Sequence, residues 1–296
     1  PFDDKSKASF SRRYAALGRK WTLKSGTVVK DHLFKVGLDC EKYQLDIYSD
    51  DPSPFMIADR LSESWWQNEA WGVTRKLTKG IPNCKMLPGD VAGVESKKRQ
   101  NRVLHNDETN KKGRARIGKK GDIFWRSFDE PTKDWAVIEA AKTWNIYGPK
   151  YIIESTSKLP RQLHDILLHR TQEVGSPNNM RTSMVAGLVI GGPVIQQVQL
   201  CWGLEGVNVT RFGRTQATRL ESSVELFLES LDAIFSILLF RTAVLHHMEA
   251  YDKERKRVQQ RRAATRRFML ARPVRLTLDE EQDESYMPKD LLYFSP

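Results

Sequence analysis

The sequence predicts an α+β protein with a mixed central β-sheet flanked by helices and a long C-terminal helix. β-rich runs occur between helical stretches without a regular alternation, which argues against a doubly wound βαβ repeat. Three β-rich runs follow one another between residues 184 and 212, a pattern typical of an antiparallel meander. A helical pattern then covers Glu221–Arg267, apolar in its first half and basic in its second.

The first 120 residues contain two predicted helical stretches and one strand. In Thr27–Gly37 apolar residues recur on one helical face and a glycine closes the pattern. Tyr43–Ser49 alternates and predicts a strand. Pro52–Thr74 predicts a helical stretch that carries Trp65, Trp66 and Trp71. We expect Trp65, Trp66, Trp125, Trp135 and Trp144 in the core rather than as platforms on which bases stack. Gly80–Gly93, rich in proline and glycine, predicts a loop, and residues 94–120 predict a mobile basic loop.

The second half of the chain begins with two predicted paired strands, Gly121–Ser127 and Asp134–Lys142, across a turn. A helix over residues 134–144, with Glu139 and Lys142 as an i,i+3 pair, is the alternative. Lys158–His169 predicts a helix with its leucines inward. The meander that follows is predicted from three runs: Met184–Ile190, Val194–Trp202 and Val207–Phe212.

The charge distribution predicts a polyanionic partner. The chain carries a net charge of +11, with a pI near 9.5. Ten of the 48 basic residues lie in Lys97–Lys120 and ten more in Lys253–Arg275, so these two segments are basic and the remainder is acidic. Such clustering favours DNA or RNA. The residues expected to contact phosphates are Lys97, Lys98, Arg99, Lys111, Lys112, Arg114, Arg116, Lys119, Lys120, Arg255, Lys256, Arg257, Arg261 and Arg262.

Three widely spaced cysteines without a CxxC pair argue against a disulfide framework and predict a reducing, intracellular location, with the nucleus expected from the basic helix. The longest largely apolar run, Ala233–Phe240, is too short to span a bilayer, so no membrane partner is expected. We divide the chain into a basic N-terminal segment (1–20), a central domain (21–250) with a basic insert at 94–120, and a basic helical extension with an acidic tail (251–296).

Asp122 and Glu139 are the candidate catalytic pair. Asp122 opens one predicted strand, and Glu139 lies among apolar residues in the middle of the next. A carboxylate inside an apolar strand is unfavourable unless it is paired or binds a metal. Two carboxylates on neighbouring strands predict a Mg²⁺ site, where the ion would bind a phosphate oxygen and activate a water. The alternative for Asp122 is a simple turn acceptor.

The order Asp122, Glu139 and Lys142 resembles the D…(D/E)-x-K signature of the PD-(D/E)XK, or restriction-endonuclease-like, nucleases. A wider resemblance, to a family of fungal proteins with a nuclease-like domain of this type, covers residues 21–250. The stretches that carry it are WTLKSGTVVKDHLF, KKGDIFWR, VIEAAK, STSKLPRQLHDIL, and AGLVIGG through TRFGR.

This resemblance implies a restriction-endonuclease-like core with specific site residues. Asp122 and Glu139 would be metal ligands, Lys142 the catalytic lysine, and Asp31 an accessory acidic group. Lys158 and Arg161 would approach the phosphate.

One departure from the signature bears on activity. The chain reads E-x-x-K, whereas residues two apart share a face of a strand, so Lys142 needs a β-bulge to reach the face of Glu139. Without the bulge, the lysine role is lost or supplied by another residue. Two functions follow: a Mg²⁺-dependent nuclease, or an inactive nuclease-like scaffold that binds nucleic acid and docks a protein partner through the helix at 221–250.

Overall fold

A computed structural model describes residue 47 and residues 54–106, 117–129, 131–181, 183–203, 209–222 and 226–271. The chain divides into two compact units, residues 1–256 and 257–296. The first unit contains the whole described sheet. The described part of the second unit is helical, and its charged side chains up to residue 266 are exposed.

A mixed, mostly antiparallel sheet forms the centre of the first unit and confirms the predicted α+β class. Its strand order is β1-β2-β3-β4-β5-β6, with β7 also paired to β5. Among the described strands, only the β3–β4 pair is parallel. Its connection is the long crossover through the helical segments between residues 149 and 180 that a parallel pair requires. The strands are β1 (Cys84–Ala92), β2 (Lys120–Ser127), β3 (Lys133–Ala141), β4 (Met184–Gly191), β5 (Val194–Trp202), β6 (Thr210–Arg214) and β7 (Thr218–Arg219).

In the part of the chain from residue 54 to 271 that the structure describes, five α-helices accompany the sheet, together with shorter turns. Two π-helical turns, Trp66–Ala70 and Ile153–Lys158, continue from short α-helices, and the second leads directly into a long one. 3₁₀ turns cover Pro54–Arg60, Gly72–Thr78 and Pro177–Met180. The helices are α1 (Glu63–Trp65), α2 (Val94–Asn106), α3 (Pro149–Ile152), α4 (Leu159–Val174) and α5 (Phe227–Ala271).

The core lies where α4 and α5 cover the central strands. Every residue of β3 is buried, as expected for a strand with neighbours on both edges and helices over its faces. On β4, a Cβ added at Gly187 would come within 2.8 Å of Leu159 Cδ1, so a glycine there allows α4 to pack closely. Trp125 of β2 meets Phe240 of α5 edge-on at a centroid distance of 6.0 Å.

Most predicted elements of the second half are confirmed. β2 and β3 pair antiparallel in the predicted positions, so the alternative helix over residues 134–144 is wrong. The helix predicted from Lys158 runs on to Val174, and β4, β5 and β6 form the predicted meander, although residues 207 and 208 lie outside the described part. The predicted long helix begins at Phe227 rather than Glu221.

The loop predicted at Gly80–Gly93 is wrong, because Cys84–Ala92 forms β1. β1 is an edge strand, and its pairing with β2 shifts register between Pro88 and Val91. Proline and glycine are tolerated at an edge bulge, where no ladder hydrogen bond is lost and Gly89 adopts a φ of +86°. The residues that signal a loop therefore mark an irregularity inside a strand.

The loop predicted at 94–120 is also wrong in part, because α2 covers its first half and β2 begins at Lys120. Buried polar contacts anchor this helix. The Val94 backbone N–H donates to Asp134 Oδ2 at 2.7 Å, and Glu95 forms a buried ion pair with Arg170 at 2.5 Å. Since the anchoring side chains are charged, the helix has no apolar period that a sequence pattern would reveal. Residues 107–116 lie outside the described part.

The predicted helix at Thr27–Gly37 lies outside the described residues, and so does most of the predicted strand Tyr43–Ser49. Ile47 is its one described residue, and it is buried and helical. Of the tryptophans predicted in the core, Trp66, Trp125 and Trp135 are buried, whereas Trp65 and Trp144 are half-buried.

Helix α5 combines a core role with a composition that resembles a membrane span. Among the described residues, the segment Glu229–Arg266 is long and apolar enough to cross a membrane, with a mean hydropathy of 1.3 in its most apolar window. However, 61% of that window is buried in the protein, and core helices share this property, so the indication is weak. Much of the apolar surface of α5 before residue 251 is buried, including Ile234, Leu238 and Val244. A partner bound through this helix stays a prediction.

Candidate metal centre

The predicted acidic pair is brought together by neighbouring strands. The β2–β3 register pairs Ile123 with Ile138, which places Asp122 beside Glu139 at the next position. Asp122 Oδ2 accepts a hydrogen bond from the backbone N–H of Ala140 at 2.7 Å. This bond holds the Asp122 carboxylate of β2 against the backbone of β3, so Asp122 does more than accept a hydrogen bond in a local turn.

A third carboxylate, which the sequence reasoning missed, completes the group. Glu154 comes from the π-helical turn Ile153–Lys158, and one ligand oxygen from each of Asp122, Glu139 and Glu154 lies within 4.8 Å of the others. We call this group the acidic triad. π-Helical turns are rare and occur often at functional sites. The available signal was a glutamate directly after Ile152 and Ile153, at the start of the helix that follows β3.

Burial makes the acidic triad unfavourable without a cation. The Glu139 side chain has 0% exposure, and that of Glu154 has 9%. Glu139 Oε1 and Glu154 Oε2 are buried without a hydrogen-bond partner. A buried, unsatisfied carboxylate oxygen is costly. Oxygen ligands of this kind suit a hard divalent cation such as Mg²⁺, which would satisfy both orphaned atoms. The residues present therefore fit the predicted metal.

The pKa values of the two buried glutamates are raised by the same burial and crowding of charge. Burial and then the charge of Asp122 raise the pKa of Glu139 to about 8, against the opposing effect of Lys158. Burial also raises the pKa of Glu154 to about 7, with Lys150 acting in the opposite direction. Both shifts mean that the charged forms of these carboxylates are disfavoured in the metal-free protein.

The lysine beside the acidic triad is Lys158. Its Nζ lies 2.5 Å from Glu139 Oε2, and its side chain keeps 30% exposure. Burial lowers the pKa of Lys158, but the charge of Glu139 and the hydrogen bond to it outweigh burial, so the net pKa is raised. Lys150, eight residues earlier, contacts Glu63 and lies 3.9 Å from Glu154 Oε1. Two ammonium groups thus border the acidic triad.

Lys142 is placed differently from its predicted role. β3 ends at Ala141, and Lys142 is an exposed residue just beyond it. The β3–β4 register runs without a shift from Glu139 through Ala141, so no bulge between them alters the alternation of faces. The position that shares a strand face with Glu139 is Ala141. A catalytic role for Lys142 stays a prediction.

The predicted phosphate-binding residues divide into three groups. Lys98 and Arg99 on α2 contact α4, with Lys98 Nζ 2.7 Å from His169 and Arg99 Nε 2.6 Å from Asp165. The second group, which is exposed or half-exposed, comprises Lys97, Lys119, Lys120, Arg161, Arg255, Lys256, Arg257, Arg261 and Arg262. The third group lies outside the described residues and comprises Lys111, Lys112, Arg114 and Arg116. Asp31, the predicted accessory acidic group of the metal site, also lies outside the described residues.

Comparisons with known proteins identify no relative. No family model, curated protein or solved structure matches the chain. The chemistry of the site therefore has to be derived from its own residues.

Proposed function

We propose that this protein is a nucleic-acid-binding protein that hydrolyses phosphodiester bonds at a divalent metal site, with Mg²⁺ as the expected ion. The observation that carries the proposal is the acidic triad, in which two buried carboxylate oxygens have no partner. A core of β1 to β3, a helix, and then β4 parallel to β3 supports the resemblance to PD-(D/E)XK nucleases.

Each residue of the triad has a distinct position. Glu139 on the central strand and Glu154 on the π-helical turn would hold the ion, together with Asp122, which the Ala140 N–H already orients. Bound there, the ion supplies a Lewis acid and an activated water. The three ligands come from three different elements of a packed core, so the geometry is set before substrate arrives.

We assign the lysine role to Lys158 instead of Lys142. When the cation neutralises Glu139, the Lys158 ammonium is released to interact with other negative charge at the site. Its partial exposure makes it accessible to a phosphate. A positive charge held at this place stabilises the negative charge that develops on phosphate during hydrolysis.

The basic surface supports nucleic acid as the substrate. Lys119 precedes β2 and Lys120 begins it, two residues before Asp122, and Arg161 lies in the first turn of α4, three residues after Lys158. Phosphate contacts of this kind give affinity that falls steeply with salt, because bound counterions are released. Binding that does not respond to salt would count against nucleic acid as the ligand.

Cleavage of labelled single- and double-stranded DNA and RNA in Mg²⁺ or Mn²⁺ tests the proposal. Asp122→Asn, Glu139→Gln and Glu154→Gln should each abolish cleavage, while Glu229→Gln, an exposed carboxylate at the start of α5, should leave it unchanged. Titration with Mn²⁺ followed by electron paramagnetic resonance should show a bound ion in the wild type and in Glu229→Gln. If every substrate stays intact in every condition, the enzymatic proposal is refuted, and the alternative of an inactive nuclease-like scaffold is favoured.

A further inference from the structure

A groove of about 1070 Å³ lies next to the acidic triad. Thr156 and Ser157 line it, and they belong to the same π-helical turn that carries Glu154 and Lys158. The other walls come from α2, the segment before β2, α4 and β6, through residues such as Arg99, Lys119, Arg161 and Phe212. One short turn therefore contributes both to this groove and to the metal site.

The residues that line the groove carry a net positive charge. Arg99 lies in the lining, but Asp165, also in the lining, holds it at 2.6 Å. Asp165 is the single carboxylate among the described lining residues. Lys119 and Arg161 are exposed and provide the remaining positive charges. Two exposed cations in one groove suit a ligand with successive negative charges, as in a nucleic-acid backbone.

Phe212 gives the groove an aromatic surface. It lies on the edge strand β6 and is 43% exposed, so its ring is not part of the core. Residues two apart on a strand share a face, which puts Thr210, Phe212 and Arg214 in one row. The Arg214 guanidinium lies 5.1 Å from the Phe212 ring centroid. An exposed ring held by an arginine, beside cationic walls, is the arrangement on which unpaired bases stack.

We propose that this groove binds a single-stranded segment of nucleic acid, with a base stacked on Phe212 and adjoining phosphates on Lys119 and Arg161. The shared π-helical turn then leads the strand toward the acidic triad. Paired bases inside a duplex present no free face to an aromatic ring, so the groove selects unpaired strands. Its relevance to cleavage rests on the proposed function, whereas the binding itself does not.

Binding of fluorescent single-stranded oligonucleotides and of a duplex of equal length, measured in EDTA, tests this inference. Phe212→Ala should weaken single-strand affinity ~5- to 150-fold, which corresponds to the ~1–3 kcal/mol typical of one stacked base. Phe212→Trp should restore it. Phe128→Ala is the matched control, because Phe128 is 49% exposed and follows β2 outside the groove lining. Duplex affinity should change less than about twofold with any of the three.

A second pair of variants tests the cationic walls. Lys119→Ala and Arg161→Ala should each lower the slope of log affinity against log salt by about one. A loss for Phe212→Ala that is equal on single strands and duplex, or no loss at all, would overturn the inference. So would equal competition by polyglutamate, since the groove would then bind any polyanion.

The two proposals fail separately. Asp122→Asn should lose cleavage and keep single-strand binding that depends on Phe212. Single-strand binding without any cleavage by the wild type would refute the enzymatic proposal alone. Cleavage that requires Asp122, with unchanged binding by Phe212→Ala, would refute the groove alone.

Discussion

Replacing Glu139 with glutamine should have opposite effects on stability with and without a divalent cation. In the metal-free protein, the carboxylates of the acidic triad lie within 4.8 Å of one another. At an effective dielectric constant of ~20, two full charges 4.8 Å apart repel by about 3.5 kcal/mol. Lys158 offsets part of this repulsion, but the raised pKa of Glu139 shows that burial and repulsion outweigh it.

The sign of the pH dependence follows from that raised pKa. The ordinary pKa is 4.5 and the folded value about 8, so the folded state binds the proton more tightly. The stability associated with this proton is present below pH 4.5 and is lost as the pH rises toward 8. Glutamine stays neutral at every pH, so the variant loses no stability by ionisation. At pH 7 the free energy of unfolding of metal-free Glu139→Gln should therefore exceed that of the wild type by up to ~3 kcal/mol.

A divalent cation should reverse this order. At a free concentration 100 times its Kd, the ion stabilises the wild type by ~2.7 kcal/mol. For a domain of this size that corresponds to an increase in Tm of about 5–11 °C. Glu139→Gln removes one ligand and with it most of this increase.

Thermal and urea unfolding at pH 7, in EDTA and in Mn²⁺, measure both effects. Glu229→Gln should follow the wild type in both conditions. The reasoning is refuted if Mn²⁺ stabilises Glu139→Gln as much as the wild type. It is equally refuted if the metal-free glutamine variant is the less stable protein, because Glu139 would then contribute favourably without an ion.

Three further predictions follow from other contacts. Lys158→Met should lower kcat for cleavage by at least ~10²-fold, the usual effect of removing a group that stabilises the transition state, whereas exposed Lys142→Met should leave it nearly unchanged. Arg170→Met should lower the free energy of unfolding by ~3–5 kcal/mol in urea titrations, because Glu95 is left buried without its cation, and adding Glu95→Leu should recover much of that loss. Burial lowers the pKa of His247 to about 3. The free energy of unfolding should therefore fall by ~1.4 kcal/mol per pH unit as the pH drops from 6.5 toward 3. The variant His247→Gln should show a smaller dependence on pH in this range.

The elements that sequence reasoning found are those whose apolar residues repeat with the period of their structure. β4 is a continuous apolar run, β5 is rich in apolar and β-branched residues between its glutamines, and α4 has leucines and an isoleucine at helical spacing. Glu139 was found for the same reason, because a carboxylate within the apolar run of β3 stands out. Its pairing with Asp122 followed from the prediction that the two strands are neighbours.

The elements that were missed depend on contacts that leave no such pattern. β1 contains Pro88 and Gly89 at an edge bulge, and α2 is anchored by buried charge rather than by an apolar face. Glu154 was missed because its position depends on a π-helical turn, and a change of helical phase between Ile152 and Leu159 cannot be derived from residue spacing. For β1 and α2 the determining contacts join residues far apart in the chain.

The altered E-x-x-K spacing is compatible with an intact site, because the chemistry requires a charge at a place in space and not at a place in the chain. β3 ends with Ala141 on the strand face of Glu139, which leaves room beside the carboxylate. In the proposed mechanism Lys158 fills that role from the helical segment that follows, with its Nζ 2.5 Å from Glu139 Oε2. Glu154, four residues earlier on the same turn, approaches the same carboxylate. Since one turn supplies both the third ligand and the lysine, a displacement of that turn would remove both together, and the two are expected to be retained or lost as a unit.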